Sequence, residues 1–482
     1  MPSPLLDAEE QVLSTLRADG SRRWLHPRLA KGRFWKNRRV VAYALIAFFS
    51  ILPWIHINGQ PLILIDILHR KLSLFGATFL PTDTVLLALA GLSGFFGIFF
   101  TTAVFGRVWC GWGCPQTVYL EFVFRPIERL CYGRKGRGGK PKNVAPWRQL
   151  LKLFLFLVVC AHLTNTFLAY FVGTGNLTRW IWTSGPFEHP IAFGVFIFIV
   201  GLMMFDFAFW REQMCIIGCP YGRFQSVMLD DNSLIIGYDE KRGEPRGKPR
   251  KPKRKKSIAP SGAASTPDVA LPVVGDCVDC QQCVEVCPTG IDIRQGLQME
   301  CIGCAQCIDA CDAIMDRFDR PRGLIRYETP AKLAGRPTQR LRPRVIIYPV
   351  IITVLVTLLT ILLFNRPNSD VTLLRALGAP FLITDTGDIK NSLNIKLVNR
   401  TDAPLSYSIK VKNQPRLSVK TLNTQVTVAP GATLSETTWI FTPPQAFATG
   451  YFDVTVLVTD NTGEVTEKHV RLLGPTAQAG AQ

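Results

Sequence analysis

Cys277-Val-Asp-Cys280-Gln-Gln-Cys283-Val-Glu-Val-Cys287-Pro288, followed by Cys301-Ile-Gly-Cys304-Ala-Gln-Cys307-Ile-Asp-Ala-Cys311-Asp312, is the stretch that decides the fold. Each run sets three cysteines at intervals of three and a fourth four residues further on. Three thiolates so spaced wrap one corner of a cubane, and the fourth points away from it. Where two such runs share a domain, the fourth cysteine of each ligates the other cluster. The spacing therefore predicts one [4Fe–4S] cluster on Cys277, Cys280, Cys283 and Cys311, and a second on Cys301, Cys304, Cys307 and Cys287. Structural zinc sites usually show two Cys-x-x-Cys pairs separated by a longer loop instead. Asp312 stands where many such runs repeat the proline, which touches the turn after the last ligand and leaves the ligand set alone.

Around this module the 482-residue chain changes character in blocks. Its mean hydropathy is positive although it carries 55 Lys and Arg, so apolar and basic residues are segregated. Five apolar stretches approach the ~20 residues a membrane-spanning helix needs: residues 40–56, 84–105, 149–172, 190–210 and 344–364. The first is the shortest and ends near Pro53. The N-terminus is polar for over thirty residues, and no small-residue cleavage site follows the first apolar stretch, so no cleavable signal peptide is expected. Arg33, Lys36, Arg38 and Arg39, the connection 125–142 and the segment 211–344 are basic, whereas 57–83 and 173–189 carry only Arg70, Lys71 and Arg179. Basic flanks stay inside, which predicts a cytoplasmic N-terminus and, with five spans, an external C-terminus. Every cysteine except Cys160, which lies within a span, then maps to the reducing side or its boundary, and the outer tail contains no disulfide.

The net charge of +19 follows largely from that topology and from the tract 241–256, KRGEPRGKPRKPKRKK. Beside a membrane anchor this reads as a solvated tether facing anionic lipid rather than as a nucleic-acid arm. Residues 257–267 continue it as a Pro/Ala/Ser linker, so the cluster module is expected to hang on a flexible lead. From about Asp370 the pattern alternates: 391–399, 406–411, 439–441, 452–459 and 465–472 read as strands, with a hairpin turn at Asp460-Asn-Thr-Gly463. A small antiparallel sandwich is expected, serving as a docking domain or a structural cap.

A near-repeat follows the second and fourth apolar stretches: Arg107-Val-Trp-Cys110-Gly-Trp-Gly-Cys114-Pro115 and Arg211-Glu-Gln-Met-Cys215-Ile-Ile-Gly-Cys219-Pro220. Cysteines at i and i+4 share a helix face, and glycine and proline permit close approach and redirect the chain. Brought together, the pairs would offer four soft sulfurs, which suit Cu(I), zinc or iron–sulfur clusters. Copper binding, thiol–disulfide exchange and a helix-ending turn with small buried cysteines are the competing readings; repetition favours a function. Met203, Met204 and Met214 are weaker candidate copper ligands, His162 is a candidate intramembrane group, and His56, Asp66 and His69 could first meet an incoming metal. Cys131 and Cys160 lack partner spacing and read as structural.

In order along the chain, Asn58-Gly-Gln-Pro61, RVWCGWGCPQ (107–116), CIIGCPYGRFQSVM (215–228), the double run ending CIDACD and Gly323-Leu-Ile-Arg-Tyr327 resemble the cytochrome c oxidase accessory proteins called CcoG, FixG or RdxA. The Asp312 departure is what that family would show. Cys-x3-Cys-Pro segments also occur in membrane ferredoxins of nitrate and nitrous oxide reduction, so the full order carries the resemblance. It implies a bacterial inner-membrane protein with an immunoglobulin-like outer domain that serves maturation of the cbb-type oxidase by reducing Cu(II) to Cu(I). By position, the family's cluster ligands fall on the eight cysteines above, and its membrane motifs on Cys110, Cys114, Cys215 and Cys219.

The expected fold is a multi-domain membrane protein: an α-helical transmembrane bundle of about five spans, a cytoplasmic bacterial-type 2[4Fe-4S] ferredoxin module and a C-terminal all-β immunoglobulin-like sandwich. The expected segments are 1–39 cytoplasmic, 40–240 membrane, 241–270 linker, 271–343 ferredoxin-like, 344–366 fifth span and 367–482 outer sandwich. The expected function is that of a membrane iron–sulfur electron carrier reducing copper at Cys110, Cys114, Cys215 and Cys219. Its expected partners are membrane lipid, an unknown cytoplasmic electron donor, and cytochrome c oxidase subunits or copper chaperones and transporters, with no nucleic acid. The rivals are a quinone-linked respiratory ferredoxin and a non-catalytic assembly scaffold.

Overall fold

The computed structural model describes residues 14–15, 21–57, 60–67, 71–75, 77–79, 83–132, 144–185, 187–247, 275–339, 341–401, 403–412, 418–421, 426–447 and 449–476. His69, Asn58, the 257–267 linker and most of the basic tract lie outside them. The chain forms two compact units, 1–55 with 87–358, and 56–86 with 359–482.

In the first unit, Leu, Ile, Val and Phe fill long uninterrupted runs, and the helices they form expose most of that apolar surface. Among the described residues Thr84–Phe105, Pro146–Val172, Pro190–Trp210 and Pro343–Phe364 are long and apolar enough to cross a membrane. Proline opens three of them, at the first helical position, where its missing N–H costs nothing. The stretch expected to span 40–56 is instead the helix Arg33–Ile51. Arg33, Lys36, Arg38 and Arg39 occupy its first two turns, Pro53 closes it in a short 3₁₀ turn, and His56 begins a strand. It stands apart from the four apolar helices in composition, because Arg33, Lys36, Arg38 and Arg39 make its first half charged. Between helices, Phe124 stacks on Phe207 at 4.1 Å and meets Phe156 edge-on at 4.8 Å, with Cys160 buried beside them.

The module carrying the cysteine runs is closed by a two-stranded antiparallel pair, Ile235–Tyr238 against Ile325–Glu328, with Tyr238 opposite Ile325. Ile236, Ile293, Ile308, Met315 and Leu324 form its core. Composition had put residues 235–247 in the membrane domain and the linker, but they belong to this module. Gly247 N–H donates to the Cys277 carbonyl (3.1 Å), Gly275 N–H to that of Pro245 (2.9 Å), and Asp276 N–H to that of Arg242 (2.9 Å). The chain is thus tied into the module both up to Gly247 and from Gly275 onward, while the linker expected to be a flexible lead, 257–267, lies outside the described residues.

The second unit is the expected sandwich. One sheet orders Ser418–Thr421, Thr433–Thr442, Ile389–Asn399 and Ser369–Arg375, with Leu382–Ile383 also on Ile389–Asn399. The other orders Val426–Val428, Leu405–Val411, Thr449–Asp460 and Val465–Thr476. Alternation over residues 389–397 sends Ile389, Leu393, Ile395 and Leu397 inward. The connection after the first helix adds Ile63–Asp66 paired with Lys71–Leu74. Buried Asp83 is held there by Arg366 (2.5 Å) and Arg400 (2.8 Å).

Candidate redox site

The two cysteine runs fold alike because each puts two residues in the left-handed region around its second cysteine. Asp279 (φ 50°) and Gln281 (φ 55°) flank Cys280, and Gly303 (φ 68°) and Ala305 (φ 60°) flank Cys304. For three non-glycine residues this costs about 1–2 kcal/mol each, and it curls the loop around a cavity. A short helix, Gln282–Glu285, then carries Cys283 with Cys287 just beyond its end, and a longer one, Gln306–Arg317, carries both Cys307 and Cys311. One cavity is lined by Cys277, Cys280, Cys283 and Cys311 with Val278, Ile314 and Leu324. The other is lined by Cys287, Cys301, Cys304 and Cys307, with Cys283 shared between the two. Each fourth cysteine thus reaches the cavity of the other run. Four cysteines lining each cavity match the ligand number of a [4Fe–4S] cluster. Burial pushes the Cys301 and Cys304 thiols up to about 11; bound iron is what would hold them as thiolates.

The cavities differ in surroundings. Cys280 is exposed, and the outer cavity it lines borders Arg294, which is paired with Asp279 and Asp292 at 2.6 Å each. The inner cavity lies against the membrane cysteine repeats. Gly111, between Cys110 and Trp112, packs backbone to backbone on its wall: a Cβ there would stand 2.7 Å from the Ile302 carbonyl oxygen and 2.8 Å from Cys304 Cα. A Cβ on Gly303 would stand 2.9 Å from the Arg107 carbonyl oxygen. Trp112 Nε1 donates to Tyr327 Oη (3.1 Å), which donates to the Gly303 carbonyl (2.6 Å).

The two repeats are tied to each other reciprocally. Arg107 of the first donates to the Gly222 carbonyl (2.8 Å) and to Gln225 Oε1 (3.4 Å), beyond the second pair. Gln116, just after the first pair, donates to the Arg211 carbonyl (3.1 Å). Cys110 Sγ donates to Gln225 Oε1 at 3.0 Å. The four thiols come within electrostatic reach of one another: Cys110 senses Cys114 and Cys219, and Cys215 senses Cys114 and Cys110. Burial pushes Cys110 up to about 11 and Cys215 up to about 12. A buried ion network, Arg211 with Glu128 (3.1 Å) and Arg125 with Glu212 (3.4 Å), backs the second repeat, and Arg125 also donates to the Pro288 carbonyl at 3.3 Å.

Other candidates do not join this site. Met203 and Met204 pack on the Leu120–Phe207 core, with Thr164 Oγ1 donating to Met203 Sδ at 3.6 Å. Met214 is exposed, His162 faces out of its helix, and Cys131 and Cys160 are buried singly. His56 and Asp66 lie in the second unit. Conversely, sequence reasoning missed Arg38, Gln225, Trp112 and Tyr327. The last three stand inside the quoted motifs but carry no spacing signal of their own, and Arg38 read only as a basic flank.

Apolar helices carrying two adjoining four-cysteine cavities, together with a β-sandwich, define a membrane iron–sulfur electron-transfer protein. Family comparisons agree: a 4Fe-4S dicluster domain matches residues 210–330, a 4Fe-4S binding domain residues 87–135, and the IG-like fold at the C-terminus of FixG, a putative oxidoreductase, residues 359–475. Protein RdxA of Cereibacter sphaeroides is 32% identical, covering 80% of this chain and 82% of its own. Protein RdxB of the same organism is 30% identical (86% and 88% covered), and nitrogen fixation protein FixG of Rhizobium meliloti is 29% identical (86% and 84%). The chain belongs to the FixG/RdxA family.

Proposed function

We propose that this protein delivers single electrons from a cytoplasmic donor to Cu(II) at the face formed by Cys110, Cys114, Cys215 and Cys219, yielding Cu(I) for maturation of a cbb-type oxidase. The observation that supports the reading is the Gly111–Cys304 backbone contact, which brings the segment between Cys110 and Cys114 against a residue that lines the inner cavity. Cys277, Cys280, Cys283 and Cys311 would hold one [4Fe–4S] cluster, and Cys287, Cys301, Cys304 and Cys307 the other. Bound there, the clusters supply one-electron storage and transfer. Gly111 and Gly303 allow the close approach, Trp112 and Tyr327 hold the two loops in register, and the four soft membrane sulfurs favour Cu(I) over Cu(II).

Basic flanks support a cytoplasmic cluster module and a periplasmic sandwich in the bacterial inner membrane. The grouping of residues 56–86 with 359–482 supports the same topology, because it fits a first helix, Arg33–Ile51, that also crosses. Oxidase subunits or copper chaperones and transporters are the partners we assign to the sandwich. Replacing Cys110 and Cys215 together with serine should leave the iron content unchanged and abolish Cu(II) reduction; unchanged reduction would remove copper from this face. One observation favours a second reading. The 4Fe-4S binding domain matched over 87–135 contains Cys110 and Cys114, so the four membrane cysteines could instead ligate iron. Total iron would then be about twelve atoms per chain rather than about eight.

A further inference from the structure

We propose that Arg38 and Arg107 make the inner cavity, rather than the outer one, the site where an added electron is held more tightly. The inference rests on the assignment of a cluster to Cys287, Cys301, Cys304 and Cys307. Arg38 is only 1% exposed and Arg107 7%. Arg38 Nε donates to the Gly111 carbonyl at 2.9 Å, which sets the guanidinium beside the residue that packs on Cys304. Its two terminal nitrogens have no hydrogen-bond partner, and the Phe122 ring lies 5.5 Å away. Buried donors left so cost free energy unless a negative group answers them. Four thiolates on an iron–sulfur core are such a group, so the orphaned nitrogens fit a cluster in this cavity.

Arg107 bonds only neutral acceptors: the Met299 carbonyl, two residues before Cys301, the Gly222 carbonyl and Gln225 Oε1. Among the described residues neither guanidinium has a carboxylate within ion-pair reach, so two full positive charges stand at the inner cavity. Arg38 acts on Cys304, and Arg107 acts on Cys301 more strongly than the opposing Glu300 carboxylate does, which locates the charges at two inner ligands.

The outer cavity is balanced differently. Arg294 faces it, but Asp279 and Asp292 cancel that charge at 2.6 Å each, and Asp312 adds negative charge beside Cys311. Nearby Arg246 is itself paired with Glu244 at 2.5 Å. Reduction adds one negative charge. In a poorly polarisable surrounding an uncompensated cation favours it, whereas a neutralised pair does little. The inner site therefore has the higher reduction potential, and Arg38 is a positioning charge rather than a mere fastening of the loops. An electron entering at the exposed side, near Cys280, is thereby drawn toward the membrane cysteines.

The test is an anaerobic EPR redox titration of the full-length protein in detergent, with a soluble dysprosium complex as relaxation probe. The signal that develops at the higher potential should be the one the dysprosium does not broaden. In R38M that signal should shift to lower potential while the other stays, and R38K should hold it near the wild-type value. A higher-potential signal sensitive to dysprosium would overturn the proposal, as would an R38M protein in which neither signal, or both equally, moved. The wild-type ordering decides even if R38M loses its inner signal. Only one iron–sulfur signal in wild-type protein would refute the cluster assignment itself, and the proposal with it.

Discussion

Cys280 alone among the eight run cysteines is exposed, while Cys304 is buried against the membrane repeat. Each lines one cavity only, so Cys280→Ala and Cys304→Ala should each remove about four of about eight iron atoms, as measured by iron and sulfide analysis. Loss of no iron from either variant would break the assignment. At the same scale, burial raises Cys110 to about 11 and Cys215 to about 12. In copper-free protein both thiols are therefore protonated at neutral pH, and the thiolate is gained only as pH rises through those values. Alkylation by iodoacetamide, read by mass spectrometry, should keep accelerating beyond pH 9; a plateau near the ordinary thiol value of about 8.5 would contradict this. The cysteines were legible because their spacing alone encodes which thiol reaches which cavity. Arg38 was not, since a basic residue before an apolar run looks like any topology signal until its burial and its orphaned nitrogens are seen.

The contact between the repeat Val108–Trp112 and the loop at Cys304 works only because Gly111 has no side chain. Two backbones meet there, so no rotamer change can make room for a Cβ. Gly111→Val should therefore separate the membrane cysteines from the module while each keeps its own core. Iron content should stay near wild type and Cu(II) reduction should fall at least tenfold, measured on the same preparation; full reduction would show that the contact is not used. Elements of this size were unevenly readable. The helices at 84–105 and 190–210 announce themselves by unbroken apolar composition, and Ile389–Asn399 by its alternation. Ile235–Tyr238 did not, because four residues carry little periodicity and their partner strand lies beyond a basic tract and both cysteine runs. The first helix was misplaced because its charged turns, Arg33 to Arg39, are helical without being apolar.

At the scale of the whole molecule, the two units have different physics. The sandwich closes its own core around Leu393, Ile395, Tyr407 and Leu472, whereas the first unit leaves apolar helix surface exposed for lipid. Within the first unit the cluster module meets the membrane cysteine repeats through Gly111 and Gly303. That meeting joins an exposed cysteine at one edge to four membrane cysteines at the other, and the proposed function requires electrons to cross it to copper. The most direct measurement is an anaerobic EPR titration of the reduced, detergent-purified protein with Cu(II). The reduced iron–sulfur signal should fall as the added Cu(II) signal disappears, one electron for each copper ion. Persistent Cu(II) beside intact, still-reduced clusters would contradict it.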